Sequence, residues 1–400
     1  MKINTDPQKI KELLTRGVEE IIDKNHLEGR LKRGQCLRIK HGIDPTGPKI
    51  HLGRASQFWK LRGFQELGHQ IVLIIGDFTG MIGDASDKDS LRPVLSEKQI
   101  KENMKDYAKQ IGKILDMDKV ELHYNSEWLD KLTAKDLIKL SMNFTAQQMI
   151  QRRNFKERWE ESKEIGLHEL SYPLLQGYDS VAVKADLELG GSDQLFNLLA
   201  GRDLQKSFGQ EPQDIMTTKM LLGTDGRKMS TSWGNVITIM DGAEDIYGKV
   251  MSMRDECIPE YFELWAQTSI QEVQSIKTKL SGGRANPRDI KAKLAREIVS
   301  IYHGGAAARR AEEEFNRVFK KKEAPSEMTV VKIKAGKYPI LDLLVRLKMA
   351  LSKAEAKRLV VQGGVKIGGK TEKDWHKNIE ALSGMVLQVG KRKFVKLENA

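Results

Sequence analysis

Apolar residues follow two rhythms along this chain. Gln70–Gly76 (QIVLIIG) is a continuous apolar run, which predicts a parallel strand buried on both faces. Elsewhere apolar residues recur every three or four positions, which predicts helices with one buried stripe. Residues 6–33 read as one such helix, with Ile10, Leu13, Leu14, Val18, Ile21 and Ile22 on its stripe, followed by a basic connector. Cys36–Lys40 (CLRIK) is strand-like and DPTGP is a turn. The next stretch spaces Phe58, Leu61, Phe64 and Leu67 as a helix does. Gly76–Asp84 reads as a glycine-rich loop, 97–115 as helical and Val120–Tyr124 as a strand. Residues 126–168 are polar and helix-prone. Asp186–Leu189 is a short strand closing on Gly190-Gly191, and Ser192 is placed to cap a helix running through Asn197–Leu204. Strand, glycine loop and helix in alternation predict an α/β fold with a doubly wound parallel sheet.

The pattern changes after residue 241. From Gly242 to Phe319 helices follow one another, so an all-α domain is expected at 242–319. Lys320–Ala335 has the composition of a linker. Residues 336–400 predict a small α+β domain, with helical stretches at Leu341–Leu351 and Lys353–Val361 and a tight GGVKIGGK turn. The expected layout is therefore a sheet domain at 1–222 with a helical insert near 126–168, a loop and connector at 223–241, and the three segments just described.

Composition narrows the class. The chain has 400 residues, 40% hydrophobic and 30% charged, with formal net charge +12. Positive charge concentrates late: residues 337–400 carry 14 Lys and Arg against 6 Asp and Glu. A basic module on a more balanced body predicts a polyanionic partner. No apolar run has the length of a membrane span, and the N-terminus lacks a signal-peptide core, so no membrane partner is expected. Cys36 and Cys257 are too few for a disulfide framework or a zinc cluster, so no protein-held metal is expected and the cytoplasm is the default location.

The chemistry centres on Lys40–Arg54, KHGIDPTGPKIHLGR. A strand turning directly into a helix leaves free N–H groups and the positive dipole end at the turn, where phosphate binds well. Gly53 lacks the Cβ that would hold a flat ring off the helix, and His51 offers an imidazole beside the phosphates. An ordinary βα turn with a surface histidine fits these residues equally well. The GxGxxG fingerprint of nicotinamide enzymes is missing.

Three stretches together resemble one family. IHLGR (50–54) and KMSTS (228–232) resemble the HIGH and KMSKS signatures of class I aminoacyl-tRNA synthetases. YPLLQGYD (172–179) with GGSDQ (190–194) resembles the tyrosyl-tRNA synthetases in particular. The resemblance implies a Rossmann-like catalytic domain, an anticodon-side helical domain and a small RNA-binding domain shared with a ribosomal small-subunit protein. It also implies a homodimer acting on ATP with Mg2+, tyrosine and tRNA(Tyr).

Residue by residue, the resemblance gives Thr46 and His51 to the phosphate oxygens in the transition state. Lys228 would close over pyrophosphate, and Lys88 and Arg92 would form a second basic loop. Met229, Ser230 and Thr231 complete the ATP loop beside Gly53 and Arg54. Gly191 and Asp193 would hold the ribose, and Asp44 the adenosine or the substrate ammonium. Asp84, Tyr172 and Gln176 would bind that ammonium, Gln194 the carboxylate side, and Asp179 the phenol. Tyr172, Gln176 and Asp179 stand at i, i+4 and i+7 and so share one helix face, as they also would on an ordinary polar face. A buried carboxylate that loses its phenol partner when phenylalanine binds is left unpaired at high cost. The insert around 126–168, with Arg152 and Arg153, would pair subunits and touch the tRNA acceptor arm, though a solvated helix face is an equal reading. Lys391, Arg392 and Lys393 are further candidate tRNA contacts.

Two departures stand out. Arg54 replaces the last histidine of HIGH, and Thr231 replaces the second lysine of KMSKS; the expectation is that Arg54 partly compensates. Many tyrosine enzymes have a tyrosine where Lys40 stands, which leaves a second phenol contact open. The competing readings are a tryptophan-specific ligase, a non-catalytic RNA-binding factor, and an adenylylating enzyme for a small acid.

Overall fold

The computed structural model describes residues 3–84, 95–230, 233–265, 268–320, 328–390 and 393–399, with the Arg153 side chain excepted. Two compact units result, Met1–Gly305 and Ala306–Ala400.

The first unit begins with α1 (Pro7–Leu13), β1 (Val18–Ile22) and α2 (Lys24–Lys32). The single helix expected over 6–33 is thus three elements. Gly17 breaks it at φ +62°, where a side chain would be strained. Val18–Ile22 then pairs antiparallel with a strand far along the chain, and Asp23, in the left-handed region, accepts from His26 N to start α2. Sheet pairing overrides a local pattern that also fits a helical stripe.

Next come β2 (Arg38–Ile43), α3 (Leu52–Glu66), β3 (Gln70–Ile75), the one-turn α4 (Thr79–Ile82), α5 (Glu97–Met104), α6 (Tyr107–Ile111) and β4 (Val120–Tyr124). Helices α7 (Ser126–Leu129), α8 (Ala134–Ser141), α9 (Ala146–Ile150) and α10 (Arg153–Glu160) occupy the stretch read as helix-prone. After them run α11 (Leu167–Val183), β5 (Leu187–Gly191), α12 (Leu195–Ser207) and β6 (Asp214–Thr218). Ser192 does not cap α12: residues Ser192–Gln194 form a 3-10 turn and the helix starts after Gln194.

The six strands lie in the order β1-β6-β5-β2-β3-β4, parallel except for β1. Succession runs outward in opposite senses from the β5/β2 boundary, so a crevice is expected at their carboxyl ends. The register opens it: β2 and β5 pair only through Ile39–Leu187 and Lys40–Glu188. Buried Leu37, Ile39, Phe58, Leu61, Phe64 and Ile71 pack α3 onto the sheet. Helices α13 (Ala243–Ser252), α14 (Ile258–Trp265), α15 (Ile270–Ser281) and α16 (Pro287–His303) follow. They belong to this same compact unit rather than to a separate one.

The second unit takes α17 (Gly305–Phe315) from Ala306 onward, then β7 (Thr329–Ile333), β8 (Gly336–Pro339), α18 (Ile340–Arg346), α19 (Lys353–Val361), β9 (Val365–Ile367), β10 (Lys370–Glu372), β11 (Asn378–Ala381), β12 (Val386–Val389) and β13 (Lys393–Asn399). Five strands order as β10-β9-β12-β13-β7, and β8 pairs with β11. Its core includes Ile340, Leu344, Val360, Val365, Leu387 and Leu397. Strand β7 falls inside the stretch read as linker, because TVVKI adds to β13 as a parallel edge strand.

Candidate active site

A cleft of about 620 Å³ opens at the carboxyl ends of β2 and β5. It is lined by Asp44, Thr46, His51, Gly53, Arg54, Asp84, Tyr172, Gln176, Asp179, Gly191, Asp193, Gln194, Lys228, Met229 and Ser230, each of which the sequence singles out. Backbone pairing accounts for the meeting of the two signatures. Leu52 N donates to Ile237 O at 2.8 Å and Ile239 N to Ile50 O at 3.0 Å, so the segment following KMSTS runs beside IHLGR.

At one end the groups suit phosphate. His51 is the N-cap of α3, and its Nδ1 accepts from Arg54 N at 3.3 Å. That bond assigns the ring proton to Nε2, leaving a donor. Burial, with help from the Arg54 and Lys228 charges, pushes the imidazole down to about 3, so at neutral pH it donates as a neutral ring. Gly53 permits this: a Cβ there would stand 3.1 Å from His51 Nδ1 and 3.5 Å from Met229 Sδ. Arg54 reaches back over the DPTG turn, donating to Asp44 O and Thr46 Oγ1, both at 2.9 Å. Lys228 Nζ lies 3.2 Å from Asp193 Oδ2 across the cleft. Asn235 holds the loop from behind, accepting from Ser230 N at 2.8 Å and donating to Lys228 O at 3.1 Å.

The other end suits an amino acid. Tyr172 OH donates to Asp44 Oδ2 at 2.8 Å and Thr79 Oγ1 to Asp44 Oδ1 at 2.8 Å. Asp44 thus stands beside Tyr172 in the cleft. Burial raises this carboxyl to about 6. Gln194 Nε2 donates to Asp84 Oδ2 at 2.6 Å, joining those two residues. Asp179, 3% exposed, accepts from Trp128 Nε1 at 2.8 Å and Asn125 Nδ2 at 3.3 Å. Burial raises it to about 7 against these donors and the Lys40 charge.

Several expected residues stand elsewhere. Lys40 is fully buried and does not line the cleft; its ammonium lies 2.8 Å from Glu188 Oε1. Arg152 is buried too, its guanidinium over the Phe155 and Phe196 rings and 3.8 Å from Asp84, so it presents no surface cation to a tRNA. Lys393 is exposed, with Nζ 3.3 Å from Met349 O. Lys88, Arg92, Thr231, Lys391, Arg392 and the Arg153 side chain lie outside the described residues. Sequence reasoning missed Asn125, Trp128, Thr79, Glu188 and Asn235, which sit in no motif that it used; they act on the motif residues from other elements.

The parallel sheet, the cleft at its switch point and the paired signatures define a nucleotide-using α/β enzyme. The family model for class I tRNA synthetases (W and Y) matches residues 32–320, and the S4 domain model matches residues 339–379. A curated tyrosine–tRNA ligase from Thermotoga maritima is 47% identical over 392 residues, 98% of each chain. One from Moorella thermoacetica is 46% identical over 390 residues, 96% of this chain and 94% of that one. The fold resembles that of an Archaeoglobus fulgidus tyrosyl-tRNA synthetase solved with L-tyrosine (TM-score 0.61, 22% identity, 76% of this chain and 99% of that one). The chain belongs to the class I tRNA synthetases of the tryptophan and tyrosine type.

Proposed function

We propose that this chain is a tyrosine–tRNA ligase that joins tyrosine to the α-phosphate of ATP, releases pyrophosphate and passes the tyrosyl group to the 3′ end of tRNA(Tyr). The observation that carries the choice of amino acid is Asp179, a buried carboxylate with two fixed donors at the amino-acid end of the cleft. An indole offers one N–H in a wider ring, whereas a phenol OH reaches a single recessed carboxylate, which favours tyrosine over tryptophan.

The substrate carboxylate is already a nucleophile, so the protein's work is positioning and charge stabilisation. Tyr172, Gln176, Asp84 and Asp44 receive the ammonium. Thr46 and the neutral His51 donate to phosphate oxygens as charge builds, and Lys228 exchanges Asp193 for the departing pyrophosphate. Lys88, Arg92 and Thr231 are proposed to complete the phosphate side. Magnesium enters on the ATP phosphates; among the described residues no group of three or more His, Cys, Asp or Glu could hold a metal ion.

The pairing surface we propose for a homodimer is the insert, where Leu137, Ile138, Met142, Trp159 and Leu167 are exposed apolar side chains. The basic second unit, Lys391, Arg392 and Lys393 among it, binds the tRNA through phosphates, so affinity falls steeply as salt rises. The enzyme works in the cytoplasm, where ATP and tRNA meet. Pyrophosphate exchange into ATP, run with each of the twenty amino acids, tests the reading. Exchange with tyrosine alone supports it; exchange with tryptophan overturns the specificity, and exchange with none overturns the activity.

A further inference from the structure

A buried polar cluster forms part of the cleft floor, with Glu188 and Gln176 in the lining. Lys40 Nζ donates to Gln176 O at 3.0 Å and Ser180 Oγ at 2.7 Å, and stands 2.8 Å from Glu188 Oε1. An ammonium has three N–H bonds. All three are used, so Lys40 has none for a ligand. Glu188 is equally committed: Oε2 accepts from Ser180 Oγ at 3.0 Å and Gln213 Nε2 at 2.5 Å. The pair is almost wholly enclosed, at 0% and 1% exposure.

Glu188 has one more neighbour, and it belongs to the cleft. Gln176 Nε2 approaches Glu188 Oε1 at 3.4 Å. An ionised carboxylate only accepts, so the amide must turn its NH2 end to Glu188 and its carbonyl oxygen away. That oxygen, Gln176 Oε1, is buried and has no hydrogen-bond partner among the described residues, although Gln176 lines the cleft. An unpaired buried acceptor costs free energy unless a ligand supplies the donor.

We propose that Glu188, fixed by Lys40, is a positioning residue that sets the orientation of the Gln176 amide, so that its carbonyl oxygen accepts from the α-ammonium of the amino-acid substrate. The inference rests on the tyrosine-activating reading and adds to it Lys40, which does not line the cleft, and Glu188, whose carboxylate is committed to protein donors. Lys40 fixes the main chain of Gln176 and Glu188 fixes its amide. With glutamine at position 188 the amide loses this instruction, because a glutamine can donate as well as accept.

The test is calorimetric binding of two ligands, tyrosine and its des-amino analogue 3-(4-hydroxyphenyl)propanoate. The proteins are the wild type, Glu188→Gln, Lys40→Met/Glu188→Gln, Gln176→Ala and Glu188→Gln/Gln176→Ala. The expected result is a loss of tyrosine affinity of about tenfold or more in Glu188→Gln, the scale of a hydrogen bond to a charged group, with analogue affinity unchanged. In the Gln176→Ala background the Glu188 change should cost nothing further. The Lys40→Met/Glu188→Gln protein carries no unpaired buried charge, so the same selective loss is readable there even if the single variant is too unstable to titrate. Equal losses for both ligands, or a full loss in the Gln176→Ala background, overturn the positioning role. A wild-type protein that binds no tyrosine overturns the substrate reading itself, and that result is distinct.

Discussion

Trp128 donates its indole N–H to Asp179 Oδ1 at 2.8 Å, tying the helix after β4 to a buried carboxylate of the cleft. With Asn125 it supplies what the buried carboxylate needs to remain charged, while burial drives the other way and leaves the group at about 7. Trp128→Phe keeps an aromatic ring and deletes the donor. The pKa of Asp179 should then climb further, and tyrosine affinity at pH 7 should fall by about tenfold, the scale of one charge-assisted bond. Because raising the pH restores the carboxylate, much of the loss should be recovered near pH 8.5. A pH series of tyrosine-dependent pyrophosphate exchange reads this, and a loss of the same size at every pH would discard the argument.

The same carboxylate sets a stability trend. Its folded value, about 7, lies above its ordinary value of 3.8. Folding therefore favours the protonated form, and the stabilisation present below about 4 is lost as pH rises through 7. Asp179→Asn removes the titration. Relative to wild type, the variant should melt progressively higher as pH goes from 5 to 8, by an amount on the order of a few kcal/mol at most. Thermal melts at the two pH values check it; a constant difference between the proteins would show that Asp179 does not titrate in this range.

His51 both caps α3 and faces the phosphates. Since burial holds it neutral down to about 3, no acid limb near pH 6.5 should arise from it. His51→Ala should lower kcat for tyrosine activation by about a hundredfold or more, as the removal of one oxyanion donor does. Tyrosine affinity should stay close to wild type. The cap itself contributes about 1 kcal/mol, so a melt separates helix loss from lost catalysis. A changed tyrosine affinity with unchanged kcat would reverse the assignment.

The insert carries the proposed subunit contact. Ile138 is 62% exposed and Met142 80%, one turn apart on α8 and at its C-cap. Ile138→Glu with Met142→Glu should convert a dimer into monomers with little effect on the melting of the first unit. Sedimentation equilibrium decides; a dimer that survives both charges places the contact elsewhere.

How much of this was legible depended on distance along the chain. The residues of the cleft motifs could be read because short backbone segments set their mutual placement. The DPTGP turn feeds α3, and Tyr172, Gln176 and Asp179 share one face of α11. Trp128, Asn125 and Glu188 could not be read, since they reach motif residues only after β4 and β5 have taken their places in the sheet. The contact left open at Lys40 could not be read for the same reason. The strand position of Lys40 was read correctly, but the register that sets it opposite Glu188 is a non-local fact. The apolar stripe of residues 18–22 suits a helix or an edge strand alike, and β6 decided it.

Arg54 was expected to stand in for the lysine that Thr231 replaces, and its surroundings give that idea a sharper form. The guanidinium is already engaged with Asp44 O and Thr46 Oγ1, so it acts first on the DPTG turn and on the Thr46 hydroxyl. Two of its five N–H bonds are used there, so another can meet a phosphate oxygen, whereas a histidine with at most two N–H bonds could not make all three contacts. Arg54→His should therefore raise the ATP KM and lower kcat together, by about tenfold each for one lost charge-assisted bond. If Arg54 replaces the missing cation, adding Thr231→Lys should return part of the loss, and the two changes will be non-additive. If Arg54 serves only to hold Thr46, then Thr231→Lys will have the same effect with arginine or histidine at position 54. ATP and pyrophosphate affinities of the four proteins in that cycle separate the two roles, and strict additivity would end the compensation idea while leaving the Thr46 contact as the function of Arg54.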